Sequence, residues 1–172
     1  PINNLVNLVQ GFSRAHQEFV KNDNSLEDQP RYQLVLAGKE GWLGSEEVVE
    51  TAKDLQIKED VVLAGYIPAE DLNGLFQGAD MFLFPPFYEE FGAPALEAMA
   101  SGVPVIASKI PSLVETLGDA AVFVDPLDSA GWVREIILLA KDKARRENLI
   151  KRGLEQAKKY TWEKTAEETL KV

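Results

Sequence analysis

Three carboxylates and a glycine crowd one stretch, YEEFGAPALEAMASGVPVIAS at 88–108. Glu89 and Glu97 are separated by seven residues, with Glu90 beside the first. Pro94 suits the first turn of a helix, and Leu96, Met99 and Ala100 repeat with helical spacing behind it. Gly92 would let the backbone approach a ligand closely. The N–H groups near Phe91–Ala95, except at Pro94, would then point out of the helix start, where an anion is favoured. Glu97, one turn inside, could accept two hydroxyl hydrogen bonds, as a ribose diol offers. Glu89, ahead of the helix, would lie on the far side of the anion and accept sugar hydroxyls. The order reads as sugar, diphosphate and ribose laid across one strand-to-helix junction. On spacing alone a plainer reading stands first, because acids near helix starts offset the dipole in many proteins.

The elements that must position these groups alternate along the chain. Leu5, Leu8, Val9, Phe12, Ala15 and Phe19 predict an amphipathic helix over 3–21. Apolar runs predict strands at YQLVLAG, VVLAG, DMFLFP, VPVIAS and AAVFVD. Between them, helices are expected from Ser45 to Leu55, from Pro68, near 93–101 and at 111–117. Asp128 should cap a helix reaching Ala140, a longer one should cover 143–159, and Thr161 should cap the last. Continuous apolar strands alternating with helices predict a doubly wound α/β domain with a mostly parallel sheet covered on both faces. Ligands of such sheets bind beyond the carboxyl ends of the strands. That singles out the loops at 38–44, 65–68, 85–94 and 108–111.

Composition narrows the function classes. The 172 residues are 45% hydrophobic and 27% charged, which suits a single globular domain. No apolar run approaches the ~18 residues of a membrane span. PINNLVNLVQ lacks the basic and apolar regions of a secretory leader, so none is expected. With no cysteine, disulfides and thiolate metal sites are excluded, and a reducing, cytoplasmic setting is expected. One histidine, His16, leaves little room for a zinc site or a Ser-His-Asp triad and is expected on a helix surface. A net charge of −10 argues against nucleic acid as partner. It does not exclude a small phosphorylated ligand held by backbone N–H groups.

The 88–108 stretch resembles the E-x7-E motif of the retaining, group 1 (family 4) glycosyltransferases of GT-B fold. LVLAGKEGW, VVLAGYIPAEDLNGLFQGADMFLFPPFYEEFG, GDAAVFVDPLD and YTWEKTAEETL also resemble that family's C-terminal, nucleotide-binding domain, in the expected order. The resemblance implies transfer of a hexose-type sugar from a nucleoside diphosphate sugar to an acceptor hydroxyl, with retention and without a metal or other cofactor. It places Glu89 as the catalytic-site glutamate at the donor sugar and Glu97 at the ribose. Phe91, Gly92 and Ala93 would offer N–H groups to sugar and diphosphate, and Tyr66 and Ile67 would lie beside the base. The acceptor, a glycan or lipid-linked saccharide, would be bound by an N-terminal domain outside this sequence. Residues 1–172 would thus be one donor-binding domain, inactive by itself.

Beside the N-terminal domain outside the sequence, the resemblance has two further departures, at Glu90 and at Asn3. Glu90 replaces the usual glycine and adds a negative charge near a phosphate site. Asn3 stands where a phosphate-binding lysine is usual, and the arginine upstream of it is outside the sequence. That leaves Lys39 and Lys109 as cations in plausible loops. The family domain also begins with a strand that would be central in the order 3-2-1-4-5-6. The space between the strands at 32–37 and 80–84 is therefore expected to be filled by a segment outside the sequence or closed by direct pairing.

A second function class remains, a non-catalytic nucleotide-sugar-binding or scaffold domain, and Glu90 and Asn3 favour it mildly. A dinucleotide-dependent oxidoreductase is disfavoured, since no strand is followed by G-x-G-x-x-G. Trp132 and Trp162 are expected to pack helices, Asp80 to order a turn, and Glu115 to lie near the donor pocket or serve only as a helix residue. The run KDKARRENLIKRG reads as a solvated helix face or, alternatively, as a peripheral contact with an anionic membrane surface.

Overall fold

The structure is a computed structural model and describes residues 3–21, 32–39 and 45–171. The elements in order are α1 (Leu5–Lys21), β1 (Leu34–Ala37), α2 (Ser45–Asp54), β2 (Val61–Gly65), α3 (Ala69–Gln77), β3 (Phe82–Phe84) and α4 (Ala93–Ala100). They continue with β4 (Val105–Ser108), α5 (Pro111–Leu117), β5 (Ala121–Val124), α6 (Ser129–Lys141), α7 (Lys143–Ala157) and α8 (Trp162–Thr169). The expected order of helices and strands holds. Several elements are shorter than expected. β3 begins at Phe82 because Phe82 N–H donates to Pro104 C=O only there, leaving Asp80 exposed ahead of it. All strand pairs are parallel, and helices flank them.

One continuous sheet does not form among the described residues. β1 pairs with β2, and β3, β4 and β5 pair in that order, as two separate ladders. The direct pairing of the strands at 32–37 and 80–84 is thereby corrected. Side chains join the sheets instead. Leu8, Val9 and Phe12 of α1 enter the cluster around Leu34, Leu36 and Val48, whereas Ala15 enters the one around Ile106, Trp132 and Leu139. Leu83 of β3 packs against both clusters. A helix about 10 Å across, resting on both sheets, covers two strand spacings of about 4.8 Å and need not draw β1 and β3 into one ladder. Val35, Val62 and Leu63 of β1 and β2 remain exposed, unlike the wholly buried β4.

The third cluster backs the 88–108 stretch. Ala95, Leu96, Ala98 and Met99 of α4 pack with Phe76, Val105, Leu113 and Leu117. Helix α7 lies against α4, and a Cβ on Gly153 would stand 3.1 Å from Met99 Cγ. Gln156, also on α7, donates from Nε2 to Thr116 C=O at 2.7 Å. These contacts fix the helix that carries Glu97.

Two caps behave as the sequence anticipates. Asp128 accepts from Gly131 N–H at 2.9 Å, and Thr161 accepts from Lys164 N–H at 3.2 Å. Asp142 caps α7 in the same way, accepting from Arg145 N–H at 2.9 Å. Gly131 is tightly enclosed, with space for a Cβ only 2.4 Å from Asp128 Oδ2. Asp128→Ala should therefore lower stability by about 1 kcal/mol, the usual loss for an N-cap. The check is the midpoint of urea unfolding with an unchanged slope.

Two expectations about single residues change. Trp132 packs as anticipated and donates from Nε1 to Asp125 C=O, but Trp162 is 87% exposed. It lies in the first turn of α8, a helix with no buried residue. His16 is half-buried beside Phe12, with Nε2 3.7 Å from Asp60 Oδ2, so it faces a neighbour and not open solvent.

Candidate functional site

Strand β3 delivers the chain to the site and two prolines end it. Pro85 and Pro86 are buried and lack the N–H that a longer ladder would need. The chain then turns through Tyr88–Phe91, and Gly92 takes a left-handed conformation, φ 87°. Gly92 C=O accepts from Ala95 and Leu96 N–H, which starts α4. A left-handed N-cap directly under a helix suits glycine, since any Cβ there would lie 2.4 Å from Leu113 Cδ2.

The Glu89 carboxylate folds back onto this turn. Its Oε1 accepts from Phe91 N–H at 3.3 Å and from Gly92 N–H at 3.1 Å. The sequence reading placed Glu89 on the far side of the anion position; the structure places its carboxylate on two of the N–H groups expected to face the ligand. The cause is local. Free N–H groups at a helix start favour a negative oxygen, and Glu89, two residues before Phe91, reaches both, whereas the adjacent Glu90 is exposed.

The turn is also held from outside. Ser112 Oγ donates to Glu89 C=O, and Leu113, fully buried, fills the space beneath Gly92. The Phe91 ring meets Tyr160 edge-on, centroids 5.5 Å apart. None of Ser112, Leu113 and Tyr160 was singled out from the sequence. Tyr160 opens the YTW segment, and that position was the one available signal.

Glu97 is exposed one turn into α4, and Ala93 is exposed at its first position. Glu90 is exposed too. The like charge that it adds is thus screened by solvent near the N–H groups. Tyr66 and Ile67 follow β2 and lie at the carboxyl end of the β1–β2 sheet, as Phe91–Glu97 lie at the carboxyl end of β3. Gly38 N–H donates to Gly65 C=O at 2.8 Å and ties the loops after β1 and β2 together. Lys39 Nζ stands 5.7 Å from the centre of the Tyr66 ring, and Tyr66 is 65% exposed. Of the loop at 38–44, only 38 and 39 fall within the described residues.

Of the other expected groups, Asn3 is half-buried at the entry to α1, and Lys109 and Glu115 are exposed. A small surface depression, with room for about one water (≈ 10 Å³), lies between Asn4, Asn7, Pro85, Pro126 and Ser129 but includes none of the expected site residues. Asn4 closes one side of it, donating to Pro126 C=O at 3.0 Å from a left-handed backbone that asparagine tolerates. In the basic run, Arg145 pairs with Glu135 and Arg152 with Asp119. Arg146 donates to Leu139 and Ala140 carbonyls, where the last turn of α6 favours a cation. These three arginines serve the fold.

The chain belongs to the glycosyl transferases group 1 family, which matches residues 7–156. It is 39% identical over 163 residues to O-antigen chain mannosyltransferase B of Escherichia coli, covering 94% of this chain and 41% of the relative. It is 32% identical over 127 residues to D-inositol 3-phosphate glycosyltransferase of Salinispora tropica, covering 73% of this chain and 26% of the relative. Among solved structures, sucrose-phosphate synthase of Thermosynechococcus elongatus superposes with a TM-score of 0.82 at 26% identity, covering 99% of this chain and 41% of the synthase. Anabaena HepE, solved with UDP-glucose, shares the fold with a TM-score of 0.77 at 18% identity, covering 92% of this chain and 41% of HepE. The fold is that of one half of a GT-B glycosyltransferase. The chain spans less than half the length of these relatives.

Proposed function

We propose that this domain binds the donor of a retaining glycosyltransferase, a nucleoside diphosphate sugar carrying a hexose. The diphosphate lies at the start of α4, Glu97 accepts the ribose hydroxyls, and Tyr66 and Ile67 flank the base. One observation carries the reading: Phe91 and Gly92 N–H converge on a single carboxylate oxygen of Glu89 at 3.3 and 3.1 Å. An anionic oxygen fits there, and an incoming ligand oxygen can take its place. Glu89, released, then accepts hydroxyls of the sugar in the same pocket.

In the reaction, the bond from the anomeric carbon to the diphosphate oxygen breaks and one to the acceptor oxygen forms on the same face. The proton of the acceptor hydroxyl passes to the departing phosphate oxygen. This chain contributes N–H groups and a helix start that stabilise the leaving charge, without a metal. The acceptor, a glycan or lipid-linked saccharide, is held by protein outside residues 1–172, in the cytoplasm or at a membrane surface. Support for a hexose comes from the mannosyltransferase relative, and for a uridine diphosphate donor from the HepE complex.

The exposure of Glu90 weakens one argument for a non-catalytic scaffold. Glu90→Gly should change the affinity for UDP-, GDP- and ADP-sugars by less than about fivefold, because an exposed charge is worth at most ~1 kcal/mol. Calorimetry on both proteins at fixed salt checks this. Failure of the wild type to bind any nucleotide sugar would sink the donor reading itself.

A further inference from the structure

We infer that Tyr160 is a positioning residue for the donor loop, clamping Phe91 so that the Phe91 and Gly92 N–H groups stay aimed at the ligand; the inference rests on the donor-binding reading. Tyr160 lies beyond α7, where its N–H donates to Ala157 C=O, and its ring crosses that of Phe91 at 79° with centroids 5.5 Å apart. Edge-to-face pairs of this geometry are attractive beyond the area they bury.

The contact matters because of where Phe91 sits. Both rings are partly open, 46% exposed for Phe91 and 40% for Tyr160, so neither is a core residue. Ser112 holds the loop at Glu89 C=O, and Leu113 supports Gly92 from below. Between these two fixed points Phe91 has one aromatic partner among the described residues, and that partner is Tyr160. The helix leading to Tyr160 is itself seated on α4 through Gly153 and Met99. One rigid body, α4 with α7, therefore fixes the carboxylate of Glu97 and the amides of Phe91 and Gly92 together. Only the ring is required of Tyr160, since among the described residues its hydroxyl makes no hydrogen bond to the loop.

The test is made in the full-length protein and has two arms. Hydrogen–deuterium exchange reads the clamp without any ligand. In Tyr160→Ala, the Phe91 and Gly92 amides should exchange about three- to tenfold faster, the factor expected from losing one aromatic pair. Amides of β4 and β5 should exchange as in the wild type, and Tyr160→Phe should restore the wild-type rate. Phe91→Ala should match Tyr160→Ala, and the double variant should add nothing, because partners in one contact are not additive. Unchanged exchange at Phe91 and Gly92, or a rise spread evenly over β4 and β5, overturns the inference. Calorimetry forms the second arm. Tyr160→Ala should weaken nucleotide-sugar binding by a similar factor and Tyr160→Phe should not. If the wild type binds no nucleotide sugar, the donor reading falls, while the exchange rates still decide whether Tyr160 holds the loop.

Discussion

Replacing Glu97 by alanine should weaken binding of the nucleoside diphosphate sugar by about 10- to 150-fold. Hydrogen bonds to a charged acceptor contribute roughly 1.5–3 kcal/mol each way they are lost, and that range converts to those factors. The side chain is exposed on α4, with Ala98 and Met99 of the same turn buried behind it. The carboxylate therefore has no part in the core, and alanine is a good helix former, so unfolding should shift little. Inorganic pyrophosphate lacks the ribose, so its binding should be unaffected by the substitution. Calorimetry with the nucleotide sugar and with pyrophosphate separates the two. Equal nucleotide-sugar affinity for wild type and Glu97→Ala, with the fold intact, removes Glu97 from the site.

The order of elements can be read from the sequence because the strands of this domain are apolar throughout and their helices are amphipathic. VPVIAS needs no alternation, since β4 is buried on both faces. The break between β1 and β3 is different in kind. Hydrogen-bond pairing between strands distant in sequence leaves no local periodicity, and YQLVLAG reads the same whether its edge is paired or not. Trp162 misled for a related reason. An aromatic residue at a helix start suggests a core, yet the α8 helix has no buried residue. Composition cannot say which apolar stripe is covered.

The turn that carries the candidate site was readable in its residue types and unreadable in its rotamers. E-x7-E with Gly92 located the turn, the helix start and the position of Glu97 on it; the exposure of Glu97 came from the structure. The direction of the Glu89 side chain was not given by spacing, because the same carboxylate can reach outward to a sugar or back to its own loop. In the structure the second choice satisfies two N–H groups at once. Ser112, Leu113 and Tyr160 come from 20 to 70 residues further along the chain, so only the packing of α5 and α7 brings them to the loop.

Gly92→Ala should destabilise the domain by about 2–5 kcal/mol. The left-handed backbone alone costs roughly 1–2 kcal/mol for a residue with a Cβ. A second contribution comes from space. The new methyl would lie 2.4 Å from Leu113 Cδ2, and Leu113 is fully buried, so it cannot swing into solvent. Overpacking of this kind adds about 1–3 kcal/mol. Gly102→Ala separates the two effects, since Gly102 is also left-handed, φ 78°, but its nearest neighbour would be Ile150 Cγ2 at 4.0 Å. That control should lose only the backbone part. Combining Gly92→Ala with Leu113→Ala removes the clashing methyl, so the double variant should be less destabilised than the sum of the singles. Urea unfolding of the four variants measures each term through its midpoint. Equal losses for Gly92→Ala and Gly102→Ala would show that Leu113 does not define the turn, and the support assigned to it beneath the Phe91 and Gly92 amides would have to come from elsewhere.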